Sequence, residues 1–176
     1  MGYATKYPKI QMSTKERFRK LSGVTVQRKV TGTVEEPVIA VTAALREKSS
    51  EIIIAILSFK HPWTVAFALY ILRNSVRPDF KEAEKSLLEH IQDHPSRRSI
   101  AIHSQVITET KVTDKYIASE INEVSWSQQH EEQTNIVALL KLIQRSGIIN
   151  FSAEVIMKES GINLTFTDKQ AILNAK

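Results

Sequence analysis

Ser99-Ile100-Ala101-Ile102-His103-Ser104-Gln105-Val106-Ile107-Thr108-Glu109-Thr110-Lys111-Val112 is the segment on which the fold class turns. Ile100, Ile102, Val106 and Val112 recur at even positions, and Thr108 and Thr110 continue the row. Apolar and β-branched side chains at period two are the signature of a half-buried strand, so the segment is expected to lie in a sheet.

On its N-terminal side, Asp79 and Glu82 form a capping arrangement. They open an amphipathic helix with Phe80, Leu87, Leu88 and Ile91 that must stop before Pro95. Further back, Pro62 starts a helix in which Trp63, Val65, Phe67, Leu69, Tyr70, Ile71 and Leu72 leave no polar face, as expected of the central core helix. The Ile-rich run Glu51 to Phe59 reads as a helix or a buried strand, with the preceding Ser49-Ser50 favouring helix. A helix from Pro37 to about residue 48 has Glu35 and Glu36 at its positive end and Arg46 and Lys48 at its negative end. Before it, Val24, Val26, Val30 and Val34 alternate with Thr25, Gln27, Lys29, Thr31 and Thr33, a second strand pattern, in which Gly32 suggests a bulge.

On the C-terminal side, residues 114 to 124 form a short helix and Ser125 to His130 a polar loop around Trp126. Glu131 to Ser146 is an amphipathic helix closed by Gly147. Ile149, Phe151, Ala153, Val155 and Met157 alternate again, Ser160-Gly161 turns the chain, and Ile162, Leu164 and Phe166 complete a hairpin. The last ten residues are polar enough to fray. The order is strand, three helices, strand, helix, hairpin. Elements that do not alternate one for one predict an α+β fold, a mainly antiparallel sheet with helices packed on one face. A single domain over 24–167 is expected, between a basic arm (1–23) and a polar tail (168–176).

Charge is segregated along the 176 residues. Lys6, Lys9, Lys15, Arg17, Arg19, Lys20, Arg28 and Lys29 stand against Glu16 alone in the first 30, a net +7, whereas the whole chain carries +5. The remainder is therefore slightly acidic, at −2. Ser13 and Glu16 read as a capping box for a short basic helix through Leu21 with Phe18 on its apolar side. Lys6, Lys9, Lys15, Arg17, Arg19 and Lys20 are the candidates for binding an anionic surface, either lipid headgroups or a phosphate backbone. An inert solvated tail is the alternative.

The absence of cysteine excludes disulfide scaffolds, thiolate metal sites and Cys nucleophiles. Five scattered glycines supply neither a dinucleotide nor a Walker loop, and no serine sits in a nucleophile elbow, so no cofactor and no catalytic residue is expected. Gly2 lacks the Ser or Thr at position six that myristoylation wants. The most apolar window, Ile52 to Leu72, is broken by Lys60, His61 and Pro62, so no transmembrane segment is expected. His90 and His94, four apart, with His103 arriving from the next element, are the best metal candidates, weighed against histidines that merely meet a helix dipole. Glu82, Glu84, Glu89 and Asp93 read as a solvated face, and His61 as the residue ahead of a helix-starting proline. Arg97 and Arg98 with Lys81 and Lys85 would extend a basic surface if they share a face. Trp126, an aromatic without periodic neighbours, is either a cap over the core or an exposed partner anchor.

A basic arm ahead of a compact α+β domain resembles the matrix proteins of rhabdoviruses, especially the short ones of plant-infecting members. The residues that carry the resemblance are Lys29-Val30-Thr31-Gly32-Thr33-Val34, the helix from Pro37, the Lys60-His61-Pro62-Trp63 helix start and the late strand Asn150 to Lys158. It implies a non-enzymatic structural protein that self-associates and bridges a nucleoprotein–RNA complex to an anionic membrane during assembly and budding. The implied location is the virion and the host cytoplasm or inner membrane surface; a non-viral chain would be cytoplasmic. The proline-rich budding motif of animal-infecting members is absent, while Tyr7-Pro8-Lys9-Ile10 is similar to the tyrosine–proline late motif, with Tyr7, Pro8 and Ile10 its defining positions. An ordinary extended Tyr-Pro segment is the plain alternative. The rival function is sequence-tolerant nucleic-acid binding, with Lys15, Arg17, Arg19 and Lys20 on phosphates and Tyr7 or Phe18 stacked on bases.

Overall fold

The computed structural model describes residues 32–128 and 133–176, and the regular structure of these residues is entirely helical. Eight helices follow one another among them: α1 (Gly32–Leu57), α2 (Pro62–Asn74), α3 (Pro78–Ile91), α4 (Arg97–Thr108), α5 (Asp114–Gln128), α6 (Gln133–Ser146), α7 (Ala153–Ser160) and α8 (Phe166–Leu173). The chain divides into two units, residues 1–46 and 47–176. The first is described over 32–46, the helical start of α1, and the second holds the core.

The expected α+β fold is overturned, and among the described residues the expected strands fail for local reasons. Residues 99–112 are mostly α4. Ile100 and Ile107, seven apart and two turns along one face, are buried, whereas Ile102 and Val106 stand on the opposite face, 63% and 50% exposed. Apolar β-branched residues on both faces of one helix counterfeit period two. In 149–157, Ala153, Ile156 and Met157 face inward at helical spacing while Val155 faces out. Ser152 caps α7 by accepting from the Val155 amide at 3.3 Å. Gly161, expected in a hairpin turn, is the helix stop, with φ of 71°. Thr165 accepts from the Asp168 amide at 3.0 Å and opens α8, whose Ile172 is buried, so the expected fraying is replaced by a docked helix. Of the first expected strand, 24–31 lie outside the described residues and Gly32–Val34 begin α1. Ser49 and Ser50, either of which could cap the run from Glu51, both lie inside α1, Ser49 buried.

Two helices organise the second unit. α2 packs on α3, α4 and α6, and α6 packs on α7 and α8 as well. Trp63 to Leu69, Ile71 and Leu72 of α2 are buried and Tyr70 is partly buried, so its lack of a polar face reflects enclosure by neighbours. Trp63 stacks on Phe67 (centroids 4.9 Å apart) and Phe67 on Tyr70 (5.4 Å). His61 fixes the start of α2, its Nδ1 accepting from the Trp63 amide at 3.1 Å while Pro62 takes the first helical position. α6 buries Ile136, Leu139, Leu140 and Ile143. Asn135 ties its first turn to the end of α1, donating to the Ser58 carbonyl at 3.3 Å and accepting from the Ser58 hydroxyl at 3.4 Å.

Candidate functional site

Where α2 hands over to α3, the linker 75–77 is fastened to the C-terminal end of α6. Helix ends leave carbonyls without intrahelical donors, and here side chains supply them. The buried Ser75 hydroxyl donates to the Ser146 carbonyl at 3.1 Å and accepts from the Arg77 amide at 3.1 Å. Arg77 Nη1 donates to the Arg145 carbonyl at 3.1 Å. Gly147, at φ 73°, ends α6, and the Ile148 amide donates back to the Ser146 hydroxyl at 3.2 Å. Two linkers, 75–77 and 147–150, are thus pinned side by side.

Beneath them, the Asp79 carboxylate is buried and bound at both oxygens: Arg77 Nε to Oδ1 at 3.0 Å and Arg77 Nη2 to Oδ2 at 3.1 Å. Arg145 Nη2 lies 3.6 Å from Oδ2, and the Phe80 amide donates to Oδ1 at 3.0 Å. The Phe80 ring, fully buried, lies beneath both guanidiniums, 5.2 Å from Arg77 Cζ and 5.6 Å from Arg145 Cζ. Two cations share one carboxylate. Burial pushes the Arg145 guanidinium below its ordinary range and Arg77 pushes the same way, while Asp79 and Glu51 oppose them. A second carboxylate of α3 is shared as well. Glu84 meets Arg73 at 3.4 Å and Lys81 at 3.8 Å, and Lys81 Nζ also donates to the Arg73 carbonyl.

This basic corner carries two bare apolar side chains. Val76, between Ser75 and Arg77, is 90% exposed, and Ile149, two residues beyond Gly147, is 95% exposed. Both are apolar tips on hydrogen-bonded linkers, in a corner that holds four cations, Arg73, Arg77, Lys81 and Arg145, and the two carboxylates they share, Asp79 and Glu84. Fully burying a side chain of this size is worth about 1.5–3 kcal/mol. A cavity of about 420 Å³ is lined by Arg145 with Ile52, Ala55 and Val137, and Glu51, Lys141 and Asp168 are its other charged groups.

The residues singled out by sequence are distributed differently. Lys6, Lys9, Lys15, Arg17, Arg19 and Lys20, with Tyr7, Pro8 and Ile10, lie outside the described residues. Trp126 is 77% exposed, which excludes the core-cap role, and it stands on α5 rather than in the expected loop. His90 turns Nδ1 to the Ser86 carbonyl at 2.8 Å, and His94 accepts from the Ser96 amide at 3.0 Å. His103 instead faces His61, with ring centroids 6.0 Å apart. Among the described residues no three His, Cys, Asp or Glu side chains gather as a metal group, and no helix is long and apolar enough to cross a membrane. Asp79, expected as a cap paired with Glu82, sits in the first turn of α3 behind the N-cap Arg77 and is the buried anchor of the corner. The signal that marks it is Arg77-Pro78-Asp79, a guanidinium two residues before a carboxylate on a proline-started helix. No family model matches the chain, and neither a curated protein nor a solved structure does.

Proposed function

We propose that the chain is a non-enzymatic assembly protein of the matrix kind, which attaches to anionic surfaces and associates with copies of itself and with a nucleoprotein–RNA complex. The observation that carries this reading is the corner just described: Val76 and Ile149, almost wholly exposed, on two linkers held together amid Arg73, Arg77, Lys81 and Arg145. Covering these two side chains with a surface would gain the apolar burial that exposure to solvent forgoes. The charge pattern supports the same reading, since the first 30 residues bring +7 to a remainder of −2. Of the segments behind the matrix resemblance, the helix start at Pro62 and the helical run from Pro37 are present, whereas Asn150 to Lys158 is largely helix. The proposal therefore stands on surface chemistry rather than on element order.

Flotation with vesicles containing phosphatidylserine, against neutral phosphatidylcholine vesicles, tests it. Binding to the anionic vesicles alone is expected, reduced by removal of residues 1–23 and reduced further by V76D/I149D. Equal flotation of all three proteins on both vesicles contradicts it. Titration with single-stranded RNA, followed by aromatic quenching, reads out nucleic-acid binding instead, which needs the arm but not the corner.

A further inference from the structure

The outer face of α4 carries charges placed against its own dipole. Arg97 and Arg98 occupy its positive, N-terminal turn, Glu109 stands at its negative end as the C-cap residue, and there is neither an acid in the first turn nor a base in the last. Two other helices have the usual polarity: α3 has Asp79 first and His90 last, and α7 has Glu154 first and Lys158 last. Arg98, Ile102, Gln105 and Glu109 follow one another at spacings of four, three and four, so they form one stripe, and Val106 flanks it. All five are exposed, and Arg98 has no ion pair among the described residues. Gln105 donates to Glu109 at 3.3 Å, holding that carboxylate on the stripe. Ile102 and Val106 are β-branched, so helix propensity does not account for them on a solvent face.

We infer that α4 pairs antiparallel with α4 of a second copy. The stripe is self-complementary: the midpoint of Arg98 and Glu109 lies between His103 and Ser104, and that of Ile102 and Val106 lies on Ser104. A two-fold axis at this point therefore sets each Arg98 against the Glu109 and the negative helix end of the other copy, with the two Ile102–Val106 pairs meeting at the centre. Antiparallel packing removes the dipole conflict at both ends together. The stripe spans about 16 Å at 1.5 Å per residue. Such a contact buries less than the ~1,600 Å² of a standard interface, so it is weak as a single pair and gains strength where many copies are held on one surface.

The inference rests on the self-association part of the proposed function, and light scattering after size-exclusion chromatography, read across protein and salt concentration, separates the two. The full-length chain is expected to dimerise reversibly, with I102D/V106D raising the dissociation constant at least about tenfold. R98E brings like charges together and weakens the dimer, and the swap R98E/E109R restores it, with circular dichroism confirming an unchanged fold. Self-association that is indifferent to R98E, or that the swap fails to restore, overturns the α4 contact and leaves the assembly reading standing. A monomer at every concentration and salt overturns both.

Discussion

α2 and α4 pack against each other and carry opposite lessons about apolar residues. α2 is apolar because neighbours enclose nearly all of it from Trp63 to Leu72, whereas α4 is apolar on two faces, of which the domain covers one. An identical residue type, isoleucine, is core at positions 71 and 100 and surface at 102. Stability is concentrated in the first setting, and the capacity to associate in the second.

Mutation breaks or sharpens that contrast. The largest effect is expected at Phe67, fully buried between Trp63 and Tyr70: Phe67→Ala lowers unfolding free energy by about 3–5 kcal/mol in urea denaturation. Asp79→Asn comes next. It leaves the guanidiniums of Arg77 and Arg145 together without their carboxylate, and since both are partly exposed the cost is about 2–3 kcal/mol. Adding Arg145→Met to that variant removes one stranded charge and recovers part of the loss.

A pH titration probes the edge between the two helices, where His103 of α4 faces His61. Burial holds the His103 imidazole below its ordinary value of about 6.5. The native state then takes up its proton less readily than the unfolded chain, so this contribution to stability is intact above about pH 6.5 and is lost as pH falls below it. His103→Gln is expected to flatten that part of the stability profile, and an unchanged slope counts against a lowered affinity of the partly buried imidazole for its proton. The smallest effect belongs to Ile102→Ala, within about 0.5 kcal/mol on unfolding. A loss there as large as that of Phe67→Ala erases the distinction between the helices.

What the sequence made legible follows the same division. The all-apolar run after Pro62, the start at His61-Pro62 and the stop at Gly147 depend on residues close in the chain, and each is found in place. The strand patterns failed where solvent-facing β-branched residues, Ile102, Val106 and Val155, filled the gaps in a helical period. Periodicity reports which residues are apolar, not which face the domain covers, so a helix with a second apolar face imitates a strand. The basic corner was illegible for another reason. Ser75 and Arg77 bond to carbonyls 71 and 68 positions away, and no local pattern anticipates that meeting. Only the charge imbalance of the first 30 residues was open to simple counting.

Hydrogen–deuterium exchange of the full-length protein, with and without phosphatidylserine vesicles, addresses the anionic-surface claim at its own residues. Slowed exchange confined within the second unit to residues 75–77 and 147–150, and abolished by V76D/I149D, is the predicted result. Unchanged exchange in both linkers under conditions where the protein is bound to the vesicles contradicts the assignment of the corner.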